Sequence, residues 1–180
     1  TRAVGKGKSS RALNQRGTEY IRKGFATHMI FKHIVIGADS AGYALKEQIK
    51  AKLAADGYDV TDCGTDSDAS CHYPVYGAAV ARAVQAADAE TCGILVCGTG
   101  VGMSMVANKF KGIRAACCSD TFSARMTRAH NDANILCFGA RVVGYGLACD
   151  LVAAFLGTAF EGGRHKTRVD MITAIEEDWK

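Results

Sequence analysis

The chain has 180 residues, 48% of them hydrophobic, enough for one domain with a substantial core and too few for two ordinary ones. Its formal net charge of +4 is carried by residues 1–28, where seven Lys/Arg face the single acid Glu19; the remainder holds 15 basic and 17 acidic residues. A near-neutral body excludes a general nucleic-acid surface, and with no apolar run near the roughly 20 residues of a membrane span a spanning helix is excluded too.

Residues 1–28 are rich in Gly, Ser, Lys and Arg and have no hydrophobic period. They are expected to be a disordered basic extension ahead of one domain at 29–180. Three origins fit it: sequence added or translated upstream of Met29, an Arg-rich organellar transit segment, or a functional arm. His33 to Gly37 reads as the first strand. Leu45, Ile49 and Leu53, each four apart, predict a helix that ends near Gly57. Tyr58 to Asp62 predicts a short strand, Val75 to Ala87 an Ala-rich helix, Gly93 to Cys97 a wholly apolar strand and Gly102 to Phe110 a helix. Strand Ile113 to Cys117, helix Asp120 to Ala129, strand Asn134 to Gly139 and helix Gly144 to Leu156 follow, then a last helix from about His165 to Glu177. Strands without polar alternation are buried on both faces. The pattern therefore predicts a Rossmann-like three-layer α/β/α sandwich around a five-stranded parallel sheet.

Ligands of such sheets sit beyond the carboxyl ends of the strands. The first strand ends in Gly37-Ala38-Asp39-Ser40-Ala41-Gly42, the third in Cys97-Gly98-Thr99-Gly100-Val101-Gly102. Three alternating glycines let the backbone approach a ligand and aim N–H groups into one concavity, a geometry suited to an anion. A cysteine at the tip of an apolar strand is more often a small buried hydrophobe than a base. Cys97 differs in standing beside a glycine-rich nest that favours its thiolate. The eight cysteines include no C-x-x-C pair. That spacing is poor for zinc, and the long, core-rich chain does not resemble a secreted disulfide scaffold, so a reducing compartment with mostly buried thiols is expected.

His130 and Asn131 close the fourth helix; a histidine there is commonly no more than a helix stop placed favourably for the dipole. Arg164 and Arg168, four apart, project from one side of the first turns of the last helix. Cations oppose the dipole at that end, so the pair calls for an anion such as phosphate, the plainer alternative being a solvated basic face. Arg141 follows a strand and is a candidate for the same region.

In order along the chain, Gly37-Ala38-Asp39 with Ala41-Gly42, Gly64-Thr65, Tyr73-Pro74, Cys97-Gly98-Thr99-Gly100-Val101-Gly102, Ala107-Asn108-Lys109, Gly112-Ile113-Arg114-Ala115, His130-Asn131-Asp132, Phe138-Gly139-Ala140-Arg141 and Glu161-Gly162-Gly163-Arg164-His165 resemble type B ribose-5-phosphate isomerases. That family also contains galactose- and allose-6-phosphate isomerases, and the likeness spans about Met29 to Glu177. The resemblance implies a cytoplasmic isomerase of the pentose phosphate pathway acting on a small sugar phosphate without metal or organic cofactor. It implies Cys97 as the proton-shuttling base, His130 as the group that opens the furanose ring, and the loop Gly98, Thr99, Gly100, Val101 and Gly102 as the enediolate site. Asp39 would contact sugar hydroxyls, Asn131 would hold the reacting end, and Arg141, Arg164 and Arg168 would clamp the phosphate. Family members are homodimers or dimers of dimers whose sites combine two subunits. Where ribose-5-phosphate enzymes commonly carry His, this chain has Ser40, which keeps a hydroxyl for phosphate or sugar but no charge; allose and galactose 6-phosphates therefore stay open as substrates. A non-catalytic phosphosugar- or nucleotide-binding module and a cysteine hydrolase pairing Cys97 with His130 are the competing classes.

Overall fold

The computed structural model describes residues 29–178, so the basic extension expected at 1–28 lies outside the described residues. The strands are β1 His33–Ala38, β2 Asp59–Asp62, β3 Thr91–Cys97, β4 Ala115–Cys117 and β5 Ile135–Gly139, and the helices α1 Tyr43–Ala55, α2 Tyr73–Ala86, α3 Val101–Ala107, α4 Thr121–Asn131, α5 Tyr145–Leu156 and α6 Arg164–Glu177. All strand pairs are parallel, in the order β2-β1-β3-β5-β4. The α/β/α sandwich expected from the apolar runs is the fold observed.

β3 lies at the centre with all seven residues buried. Alternation along the strands splits the core in two. Ile34, Ile36, Ile94, Val96, Leu136 and Phe138 face Leu45, Ile49, Ala124, Leu151 and Phe155 of α1, α4 and α5. Val35, Leu95, Cys97, Ile135 and Cys137 face Val80, Val84 and Met103 of α2 and α3. Strands sandwiched this way gain nothing from polar alternation, which is why the sequence shows none.

Element ends moved where side chains intervene. α2 begins at Tyr73 because Pro74 pre-sets the first helical turn. α3 stops at Ala107, short of Phe110, and β4 starts only at Ala115. Asn108 accounts for both changes: its side-chain amide donates to Ala115 O and accepts from Ala115 N, each at 2.8 Å, as a neighbouring strand would. A short edge strand is thereby closed by a side chain. Gly112, at φ +76°, then turns the chain, and its N–H donates to the buried Glu176 carboxylate of α6 at 2.7 Å.

In a parallel sheet each helix returns the chain to the opposite end. The β1–α1, β3–α3 and β5–α5 turns therefore share the carboxyl end, whereas the α4–β5 turn and the α5–α6 connection share the amino end. At the carboxyl end the backbones pack closely: a Cβ on Gly42 would lie 2.4 Å from Val96 O and 2.6 Å from Val96 C. Neither atom is a flexible side-chain tip, so one chain must shift. Gly42→Ala is expected to lower the urea midpoint by about 1–3 kcal/mol of stability with little change in m-value. An unchanged midpoint would show that β3 and α1 separate freely here.

Candidate active site

At the carboxyl end, β3 runs into Cys97, Gly98 and Thr99, and Gly100 turns left-handed at φ +82° to start α3. A Cβ at Gly100 would lie 2.8 Å from the Phe138 backbone and 2.9 Å from Cys117 Sγ, so the turn tolerates only glycine. Cys97 is 6% exposed, and its sulfur sits just beneath the nest, accepting the Gly100 N–H at 3.1 Å. That bond and the one from Val101 N to Thr99 Oγ1 at 3.4 Å commit two of the nest's donors. Burial pushes Cys118 up to about 11 and Cys92 and Cys137 further, and lifts Cys63 and Cys117 as well.

Arg141 reaches the same place. Its N–H donates to Gly98 O at 3.1 Å, and its guanidinium lies against Gly98, 3.7 Å from where a Cβ would stand. Asp39 is partly committed to structure: Oδ1 accepts from the backbone N–H groups of Ala41 and Gly42, both at 3.0 Å, shaping the entry to α1. Ser40 donates its N–H to Cys71 Sγ at 3.2 Å, and the Tyr73 ring packs on Gly102 at α3. Cys71 and Tyr73 thus form a wall that the sequence reading left without a role; the Tyr73-Pro74 motif was its only trace.

A second cluster lies at the amino end. Arg128, buried, donates to Asp132 Oδ1 at 2.8 Å and to Ala133 O, and Arg114 donates to Asp132 Oδ2 at 2.8 Å and Asn131 O at 2.9 Å. The two guanidinium groups clamp Asp132 in a left-handed conformation, φ 47°, and so fix His130 and Asn131 just before it. Asn134 is structural, with its side chain bound to Arg114 N and Gly112 O. Glu161 N donates to Ala129 O, which brings Glu161 Oε2 to 3.8 Å from His130 Nε2 and 3.6 Å from His165 Nε2. The two imidazoles stack at 4.1 Å, 6° from parallel. Donor lone pairs lie in the ring planes, so parallel stacked rings do not aim at one cation and the trio is poorly arranged as a metal cage. Arg164 and Arg168 open α6, whose first turn has no acid and no side-chain cap, while Lys166 is paired with Asp170 at 2.8 Å. Glu161 and His165, also unassigned from sequence, stand four apart in the Glu161-to-His165 motif, and that spacing was the available signal.

The sequence reading expected the three phosphate arginines to converge. The structure places Arg141 at the carboxyl end of the sheet with Cys97, Thr99, Asp39 and Ser40, and Arg164 and Arg168 at the opposite end with His130 and Asn131. α4, 11 residues long, separates the sets by about 16 Å at 1.5 Å per residue. A cavity of about 370 Å³ opens beside the second set, lined by Asn131, Thr127, Arg114, Ile172 and Ile175 among others, and contains none of the nest.

A model of the family described as Ribose/Galactose Isomerase matches residues 34–172. Ribose-5-phosphate isomerase B of Escherichia coli is 51% identical over 146 residues, covering 81% of this chain and 97% of that protein. Galactose-6-phosphate isomerase subunit LacA of Streptococcus equi is 45% identical over 142 residues, covering 79% and 98%. The structure of Clostridium thermocellum ribose-5-phosphate isomerase B aligns with a TM-score of 0.80 at 49% identity, covering 82% of this chain and 99% of that one. The parallel α/β sandwich described above is thus the fold of a ribose-5-phosphate isomerase B, and the class it defines is that of sugar isomerases. The chain belongs to the ribose/galactose isomerase family.

Burial, with His130, Arg164 and Arg168 nearby, pushes the His165 imidazole below the ordinary histidine value, against the pull of Glu161. The unfolded chain then binds a proton at His165 more readily than the folded one. Stability should therefore decline as pH falls below about 6.5 and level off once the folded imidazole is protonated too. Thermal midpoints between pH 7.5 and 5 are expected to fall less in His165→Gln than in the parent (both pH limits set about the ordinary histidine value). Equal slopes would remove His165 from the account.

Proposed function

We propose that this chain is a cytoplasmic aldose–ketose isomerase interconverting D-ribose 5-phosphate and D-ribulose 5-phosphate. Residues 29–180 act as one domain, and two copies complete each site. The observation that carries the reading is the sulfur of Cys97 held by the Gly100 N–H at 3.1 Å, beneath a glycine turn with Arg141 alongside. All eight cysteines are free, in keeping with a reducing compartment, and among the described residues no helix is long and apolar enough to cross a membrane.

The reaction moves one hydrogen between adjacent carbons. Cys97 as thiolate takes the proton from C2 of the open-chain aldose; the C–H pair becomes the C1–C2 double bond, and negative charge moves to O1. A proton passes from O2 to O1, the thiol returns its hydrogen to C1, and C2 is left as the carbonyl. The exposed Thr99 hydroxyl and those N–H groups of the glycine turn not already given to Cys97 Sγ and Thr99 Oγ1 stabilise the oxyanion, a kind of contact worth roughly 3 kcal/mol per donor. His130 moves the ring-oxygen proton when the cyclic sugar opens, Asn131 and Asp39 hold hydroxyls, and the arginines fix the phosphate so that binding energy sets orientation.

One chain holds Cys97 and His130 at opposite ends of the sheet, so a partner copy supplies the missing half. Val101 and Met105 are exposed on α3 beside the nest, and Met171, Ile172 and Ile175 on α6 beside His130. Apolar faces at both half-sites suit a two-fold pairing that sets one against the other. The same separation weakens the hydrolase reading, which needs Cys97 and His130 in contact. Ser40 keeps hexose phosphates in view, so ribose, allose and galactose phosphates belong in one assay.

Cys97→Ala is expected to fold normally, to bind sugar phosphate and to lose at least about a thousandfold in kcat in a coupled assay. Retained turnover would eliminate the assigned base. Cys97→Ala and His130→Asn proteins, each nearly inactive, should regain up to about one quarter of the parent activity when dissociated and randomly re-paired, since one site in each mixed dimer is intact. A mixture that stays inactive would place both residues in sites built by single chains.

A further inference from the structure

Lys46 is a charged side chain in the interior with no part in the proton transfers described above. It stands on α1, one turn after Gly42, and its side chain is 1% exposed. Its ammonium donates to Asp62 Oδ2 at the end of β2 and to Thr65 O, both at 2.7 Å, and lies 2.8 Å from Glu47 Oε1. Three donors meet three acceptors, which is what a lysine needs to remain buried. Lys50 shares Asp62 and Glu47 at 2.7 Å each. Burial alone would raise the Asp62 carboxyl, and the two lysine bonds outweigh it and hold it below its usual range.

What the ammonium grips is the segment between β2 and α2. From Asp62 that segment crosses the carboxyl end of β1: Cys63 N donates to Ile36 O at 2.8 Å and Thr65 N to Ala38 O at 3.0 Å. The crossing is tight, because a Cβ on Gly64 would lie 2.5 Å from Ala38 N and 3.0 Å from Lys46 Cδ. Beyond Thr65 the segment reaches Cys71, whose sulfur accepts the Ser40 N–H, and then Tyr73, whose ring covers Gly102. Lys46 is therefore the anchor at one end of a strap that spans the mouth between the Asp39–Ser40 turn and the glycine nest.

We infer that Lys46 is a positioning residue of the sugar-phosphate site: through Thr65 O and Asp62 it holds the Cys71-to-Tyr73 wall against Ser40 and Gly102. It touches no substrate atom. Its contribution is to affinity and orientation, because the wall and the Asp39–Ser40 turn face the sugar while the proton relay belongs to Cys97. The inference rests on the reading of this cleft as the substrate site.

Lys46→Met keeps an unbranched side chain, shorter by the terminal nitrogen, and removes the charge. With the full-length protein, well below its unfolding transition, KM for ribose 5-phosphate is expected to rise about tenfold while kcat stays within about threefold. The strap itself is read without substrate: peptide-resolved alkylation of Cys71 by iodoacetamide should quicken at least about fivefold as the segment loosens. Ile49→Ala, one turn further along α1, is a comparably destabilised control and should change neither. If Lys46→Met does not fold, Asp62→Asn, at a half-exposed site still near Lys50, should move both readouts in the same direction by smaller factors. Unchanged KM and Cys71 reactivity in the variant that folds would overturn the role of Lys46. A parent protein inactive on every phosphosugar would instead overturn the functional reading, with the Cys71 result still judging the strap.

Discussion

In a sheet whose strands all run the same way, a chain leaving the carboxyl end of one strand must travel the length of a helix before it can start the next. Every structural feature of the candidate site follows from that constraint. Cys97 is delivered at the end of β3, and His130 comes at the end of α4, immediately before β5 sets out again. The interval between them is one helix, and neither side chain is long enough to cross it. A site needing both groups has to be assembled from two chains, and the exposed apolar side chains of α3 and α6 lie where such an assembly would bury them.

Each half-site is built by a different physical device. At the nest, the work is done by backbone proximity: Gly139 passes so close to the turn that a Cβ there would be 2.5 Å from Thr99 Cα, while Gly100 takes the left-handed conformation required to start α3. At the amino end, charge does the work. Arg114 and Arg128 hold Asp132, and Glu161 draws together two stacked imidazoles that would otherwise repel one another whenever both carried a proton.

Polar side chains also decide where loops lie. Asn108 closes the β4 edge by imitating a strand, Glu176 fastens α6 to the Gly112 turn, and Lys46 straps the segment after β2 across β1. Lys46 and Glu176 are buried, and buried polar side chains are costly unless every donor finds an acceptor, so each specifies one loop geometry among the many an apolar contact would permit.

The sheet, its parallel sense and the two helix layers were legible in the sequence because burial on both faces forces continuous apolar runs, such as Thr91 to Cys97, and because helical faces repeat at Leu45, Ile49 and Leu53. The glycine turn after β3 was legible too, although Gly-x-Gly-x-Gly is a weak signal alone and Cys97 is what made it specific. What the linear order hid was everything that depends on which segments become neighbours. Arg141 and Arg164 look equally suited to a phosphate until the chain direction sends them to opposite ends, Cys71 carries no periodic signature, and the four-residue spacing of Glu161 and His165 does not say what they meet. Sequence by itself determined the elements and the chemical types available at each turn, because those depend on local propensity and on which faces are buried. Only the tertiary structure decided which of those groups meet, because distances between residues far apart along the chain are set by packing and strand order.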